Sequence, residues 1–140
     1  GQDPATTHTP DDSASTRGFR GLVWANDQST KHFLEESSKL RKSPTPSLLV
    51  TVGNGFKFPC LFTKERQLLF DSVFCHAPST ADGELRDKAH RWTEWSMNGY
   101  LEWHTHQVKL LQRALHFLKV EGQLCYSTSS LNPLENEAVV

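Results

Sequence analysis

The sequence predicts an α/β fold, doubly wound around a mainly parallel sheet. Short apolar runs of strand length recur along the chain and end in Asn, Asp, Gly or hydroxyl residues. Segments of helical period lie between them, so consecutive strands run parallel through helical crossovers. The length of 140 residues, with 36% apolar and 22% charged content, gives room for one globular domain.

Residues 1–17 are Thr, Ser, Asp and Pro with little to bury, and read as a disordered tail or tag remnant. Order is expected from Gly18 onward. Leu22, Val23, Trp24 and Ala25 form a buried-strand run that ends at Asn26 and Asp27. A helix follows from Ser29 to Arg41, with Phe33, Leu34, Ser37 and Leu40 on one face. Pro44 and Pro46 stop it, because proline disfavours helical geometry in the residue before it.

Residues 47–52 make the second strand, leaving through Gly53, Asn54 and Gly55. Residues 56–70 read as an irregular aromatic loop, and Phe70 to Cys75 as the third strand. A long helix is expected over residues 98–119, with Leu101, Val108, Leu111, Leu115 and Leu118 as its apolar face. Glu121 and Gly122 cap it, Gln123 to Ser127 form the fourth strand, and a helix starts at Glu135.

Bulk properties exclude several classes. No apolar run approaches the roughly 20 residues that span a bilayer, so no membrane role is expected. Cys60, Cys75 and Cys125 are far apart and two lie in strand runs, which predicts buried thiols in a reducing, intracellular setting. His104 and His106 are two apart on a helix and cannot share a face, so no metal site is expected. A net charge of −1 lacks the strong basic excess typical of phosphate-backbone binders.

In such a fold ligands collect at the carboxyl ends of strands. Asp27 there can accept from ribose hydroxyls, or can cap the following helix. Asn54 between two glycines suits a plain turn. The third strand opens into His76, Ala77, Pro78, Ser79, Thr80, Ala81, Asp82 and Gly83, and the fourth into Thr128, Ser129, Ser130, Leu131, Asn132 and Pro133.

The run from Tyr126 to Val140, YSTSSLNPLENEAVV, resembles the signature Y-S-T-C-S-L-N-P-x-E-N-E-x-V-V of the Nop/Sun (RsmB-like) RNA (cytosine-5) methyltransferases, in its eukaryotic tRNA form. Trp24 to Asp27 is similar to the family's A-N-D strand end. Residues 76–83 are similar to its D-x-P-C-S-G-x-G loop, with Pro78 and Gly83 retained. The resemblance implies a Rossmann-like S-adenosylmethionine-dependent methyltransferase fold, incomplete in this chain. Residues 18–140 would be a partial catalytic domain without the Gly-rich cofactor loop and the C-terminal strands, so that a further segment or a protein partner completes the sheet.

The resemblance also assigns roles. Ser129 stands at the nucleophilic cysteine position, Ser79 at that of the cysteine that assists product release, and His76 at the base-recognising Asp. Asp27 would hold the ribose and Asn54 the adenine amine of S-adenosylmethionine. Arg86, Lys88 and Arg91 would meet RNA phosphates, or form a solvated loop. Trp92, Trp95, Tyr100 and Trp103 could stack on bases or pack against the sheet. With Ser at both cysteine positions, the expectation is a pseudoenzyme that binds tRNA, rRNA or a protein. The alternatives are part of an active RNA (cytosine-5) methyltransferase, or a structural subunit without ligand.

Overall fold

The apolar runs fall in strands, and each of the two parallel pairs is joined through a helix. The structure is a computed structural model in which residues 21–40, 47–63, 66–93 and 96–140 are described. The tail expected over residues 1–17, the stop at Pro44 and Pro46, and Trp95 lie outside the described residues. The chain divides into two units, residues 1–52 and 53–140.

In the first unit, β1 (Val23–Asp27) pairs in parallel with β2 (Leu48–Val52), Val23 opposite Leu48 and Asp27 opposite Val52. The Trp24 indole donates to the Thr51 hydroxyl at 3.0 Å, and that hydroxyl donates to Asn26 Oδ1 at 3.0 Å. The crossover is helix α1 (Thr30–Leu40). It starts at once because Asp27 Oδ1 accepts from the Ser29 N–H at 2.6 Å and Ser29 Oγ accepts from the His32 N–H at 3.2 Å. Leu34, expected on the inner face, is 62% exposed, and half-buried Phe33 takes that place.

The second unit is built on β5 (Phe70–His76) and β6 (Leu118–Ser127), again parallel, joined by α2 (Met97–Leu115). Cys75, Leu111 and Val139 form its core, with Val108, Leu110, Ala114, Leu124 and Tyr126 against it. Burial pushes the Cys75 thiol up. Cys125 and Cys60, by contrast, are exposed free thiols, so only one of the three cysteines is buried as expected. The 56–70 stretch is more ordered than its composition suggested. It holds a 3-10 turn at Gly55–Lys57 and a short antiparallel ladder, β3 (Phe62–Thr63) with β4 (Arg66–Gln67). Arg113 ties it to α2 by donating from Nε to the Phe58 carbonyl at 2.9 Å.

Three boundaries differ from the sequence expectation. Helix α2 stops at Leu115, because the Phe117 carbonyl is captured by the Phe70 N–H at 2.7 Å and the chain enters the ladder. Glu121 and Gly122 therefore lie inside β6, where pairing jumps from Phe70–Leu118 to Ser72–Gln123 and Glu121 adopts a left-handed φ of 64°. A Cβ on Gly122 would sit 2.9 Å from both the Leu118 side chain and the Lys119 carbonyl, so the glycine serves this bulge, not a helix cap. The buried stripe of α2 runs through Tyr100, Gln107 and Leu111, whereas Leu101 and Leu115 are exposed. Beyond β6 the expected helix at Glu135 is a 3-10 turn, Pro133–Glu135.

Among the described residues the strands form three two-stranded ladders, two of them parallel. No described helix is long and apolar enough to cross a membrane.

Candidate functional site

Strands β5 and β6 end in register, His76 opposite Ser127, and the Ala77 N–H donates to the Ser127 carbonyl at 2.8 Å. Their loops, residues 77–88 and 128–139, therefore leave the ladder side by side. Parallel pairing thus brings Ser79 and Ser129, which are 50 positions apart in the chain, onto neighbouring loops.

The first loop turns through Ser79, whose hydroxyl accepts from the Ala81 N–H at 3.2 Å. Ala81 is buried and left-handed, φ 54°, a conformation that glycine adopts more cheaply. The Ser79 bond and the burial hold it there. In the second loop Asn132 Oδ1 accepts from the Leu134 N–H at 2.9 Å. Asn136 donates to the carbonyls of Ser130 and Asn132 at 2.9 and 3.0 Å.

Two acids lock the loops together. Asp82 Oδ1 accepts from the Leu131 N–H at 2.7 Å, and Oδ2 from the Tyr100 hydroxyl at 3.3 Å. Beside it the Gly83 N–H donates to the Ser129 carbonyl at 3.0 Å. Glu135 is fully buried. It accepts from the Thr80 N–H at 3.0 Å, the Thr80 hydroxyl at 2.5 Å and the Gln107 amide at 3.0 Å. The same Gln107 amide donates to the Pro78 carbonyl at 2.9 Å, which extends the lock to α2.

Tyr126 closes the network by donating to the Glu135 carbonyl at 2.8 Å. Burial, with smaller contributions from Cys75 and Glu135, pushes its phenol up from the usual 10.0 to about 12. A raised acid favours its neutral form in the folded chain. This contribution to stability is complete below pH 10 and is lost as the pH rises through about 12. Urea unfolding followed from pH 10.0 to about 12 is expected to show that decline in the wild type. Tyr126→Phe should remove it.

The expected site residues divide between the units. Asp27 lies at the end of β1, its Oδ1 engaged by Ser29 and its Oδ2 3.9 Å from His32 Nδ1. Asn54, in the second unit, caps the 3-10 turn by accepting from the Phe56 N–H at 2.9 Å. His76 is exposed, stacked on Phe74 at 6.3 Å between ring centroids, with Nδ1 3.3 Å from the Ser127 hydroxyl. Its neighbour is thus Ser127.

The basic loop residues converge on Glu84, an acid the sequence reading did not single out. Lys88 Nζ lies 2.5 Å and Arg91 3.6 Å from its Oε2. The Lys88 bond is the main cause holding the Glu84 carboxyl below the usual range. The i,i+4 spacing of Glu84 and Lys88 is the sequence signal that identifies the pair. Arg86 is exposed. Of the aromatics, Tyr100 is buried, Trp92 is 66% exposed, and Trp103 lines a depression of about 240 Å³ with Ser79, Thr80, Asp82, Leu85 and Arg91. Among the described residues no three His, Cys, Asp or Glu side chains gather as a metal set would.

Comparison with known proteins gives this geometry a family context. Residues 14–140 match the profile described as 16S rRNA methyltransferase RsmB/F. The chain is 34% identical to the multisite-specific tRNA:(cytosine-C(5))-methyltransferase trm4b of Schizosaccharomyces pombe, over 92% of this chain and 21% of the relative. It is 36% identical to the multisite-specific tRNA:(cytosine-C(5))-methyltransferase of Saccharomyces cerevisiae, over 86% of this chain and 18% of that protein. The crystal structure of a methyltransferase homolog protein from Pyrococcus horikoshii shares the fold. Its TM-score is 0.66 at 26% identity, over 85% of this chain and 35% of that one. The chain thus spans about a fifth of the length of these curated relatives, 21% and 18%.

Proposed function

Because the chain belongs to the 16S rRNA methyltransferase RsmB/F family, we propose that it is a non-transferring relative that binds RNA on the paired loops after β5 and β6. The observation that carries this reading is the state of the two serines. Addition to cytosine C6 calls for a soft nucleophile, and a serine hydroxyl needs a strong neighbouring base to replace a thiolate. Ser129 is flanked by Thr128 and Ser130, neither of which is a base, the His76 ring lies against Ser127 instead, and Ser79 is turned back on its own loop. Loss of the thiolate is expected to slow the addition on the order of 10³-fold.

S-adenosylmethionine is the methyl donor of the family. Within the first unit, Asp27 has the chemistry to hold its ribose. Asp27 keeps Oδ2 clear of the Ser29 bond and its side chain is 46% exposed, so a ribose hydroxyl can reach it. Asn54, in the second unit, commits its Oδ1 to its own turn, and the amide N–H groups left over are donors, whereas the adenine amine assigned to it calls for an acceptor. The partner we assign is a tRNA or rRNA, the substrates named for the relatives, in the intracellular setting that three free thiols suit.

A second reading is favoured by the share of the relatives' length that the chain spans, 21% and 18%. It would then be part of an active enzyme whose other motifs lie in further sequence, with a segment or partner completing the sheet. Calorimetric titration of S-adenosylmethionine into the 140-residue chain, beside RNA retention on the same sample, separates the two. RNA retention with millimolar or no cofactor binding is the expected result. Micromolar cofactor binding brings the enzyme reading forward.

A further inference from the structure

Lys88 and Arg91 converge on one carboxylate, that of Glu84, at the surface of the segment that follows β5. Two cations around one anion are a donor set that recognises a phosphate oxyanion. The side chains are accessible, 47% for Lys88, 29% for Arg91 and 32% for Glu84. Arg86 is exposed in the same short segment. We propose that Glu84 occupies a phosphodiester site, and that an RNA phosphate displaces it from Lys88 and Arg91.

This rests on the RNA-binding reading above and gives it a location. Exposed ion pairs are individually weak, so an incoming polyanion can exchange with them. While Glu84 is in place it neutralises cations that would otherwise release counterions on RNA binding. It also explains how a chain of net charge −1 can carry a phosphate site: the positive field is masked locally until the acid moves.

The test is retention of a labelled single-stranded oligoribonucleotide by the full chain across a salt series. Glu84→Gln is expected to bind about fivefold more tightly at low salt, from two freed surface cations. Its log–log salt slope should steepen by roughly 0.7 for each cation released. Glu84→Asp keeps the charge and should stay near the wild type, and adding Lys88→Gln and Arg91→Gln to Glu84→Gln should abolish the gain. Equal or weaker RNA binding by a folded Glu84→Gln, while the wild type binds, overturns this site and leaves the RNA-binding reading standing. Absence of RNA binding in both chains overturns the two together. Saturation of Glu84→Gln by inorganic phosphate without RNA retention assigns the site to free phosphate and overturns the RNA source.

Discussion

Glu135→Ala should destabilise the chain by about 3–5 kcal/mol, from the three buried donors it leaves unpaired, each costing about 1–3 kcal/mol before the site relaxes. Three donors converge on this fully buried carboxylate: the Thr80 N–H, the Thr80 hydroxyl and the Gln107 amide. Alanine would leave all three facing a cavity. Small domains keep only about 5–15 kcal/mol in total, so the loss is a large fraction of the whole. Glu135→Gln keeps the size and one acceptor oxygen and should lose about 1–2 kcal/mol. Urea unfolding of the three chains measures this. An alanine variant within about 1 kcal/mol of wild type would show that the lock carries no load.

Gly83→Ala should be nearly as damaging, for a steric reason. A Cβ at Gly83 would lie 2.7 Å from the Ser129 carbonyl oxygen and 3.6 Å from the Leu131 side chain. The nearest atom is backbone, and the same carbonyl accepts the Gly83 N–H at 3.0 Å, so neither loop can shift without breaking the contact. The expected destabilisation is about 2 kcal/mol, or roughly 6 °C in Tm for a chain of this size. Amide exchange gives a local check. The Gly83 and Leu131 N–H groups, which donate to Ser129 and Asp82, should lose protection ahead of the β5–β6 ladder. Unchanged protection at both positions would contradict the proposed contact.

The strands were legible because each is a short apolar run closed by a turn residue, as Val52 is by Gly53 and Asn54. The start of the long helix was close to its true position, Met97 against an expected residue 98. Its end was hidden because Leu115 and Leu118 continue the helical period by chance while Phe117 is recruited by a strand 47 positions upstream. Periodicity is local and cannot register such long-range capture. The bulge was misread for a related reason. Glu121 and Gly122 look like a helix cap, yet the left-handed residue is the glutamate and the glycine is needed for space.

That the loops after β5 and β6 lie side by side was legible in the sequence, but the contacts that organise them were not. The run from Ser127 to Val140 and the Pro78–Gly83 loop pointed to the paired loops, and parallel strands place them together. What joins them is a pair of acids, Asp82 and Glu135, whose partners come from α2 and from the opposite loop. Acidic side chains are usually exposed, so composition gives no reason to expect Glu135 in the interior. Asp27 illustrates the opposite case, where the bland expectation of helix capping and the family's ribose contact can both hold, one on each oxygen.

The most direct test of the account is the transfer of labelled methyl from S-adenosylmethionine to an RNA that the wild-type chain has been shown to retain. The account predicts retained RNA with no label incorporated over the time course. Time-dependent incorporation at cytosine that disappears in Ser129→Ala would contradict it, and would make Ser129 a working nucleophile.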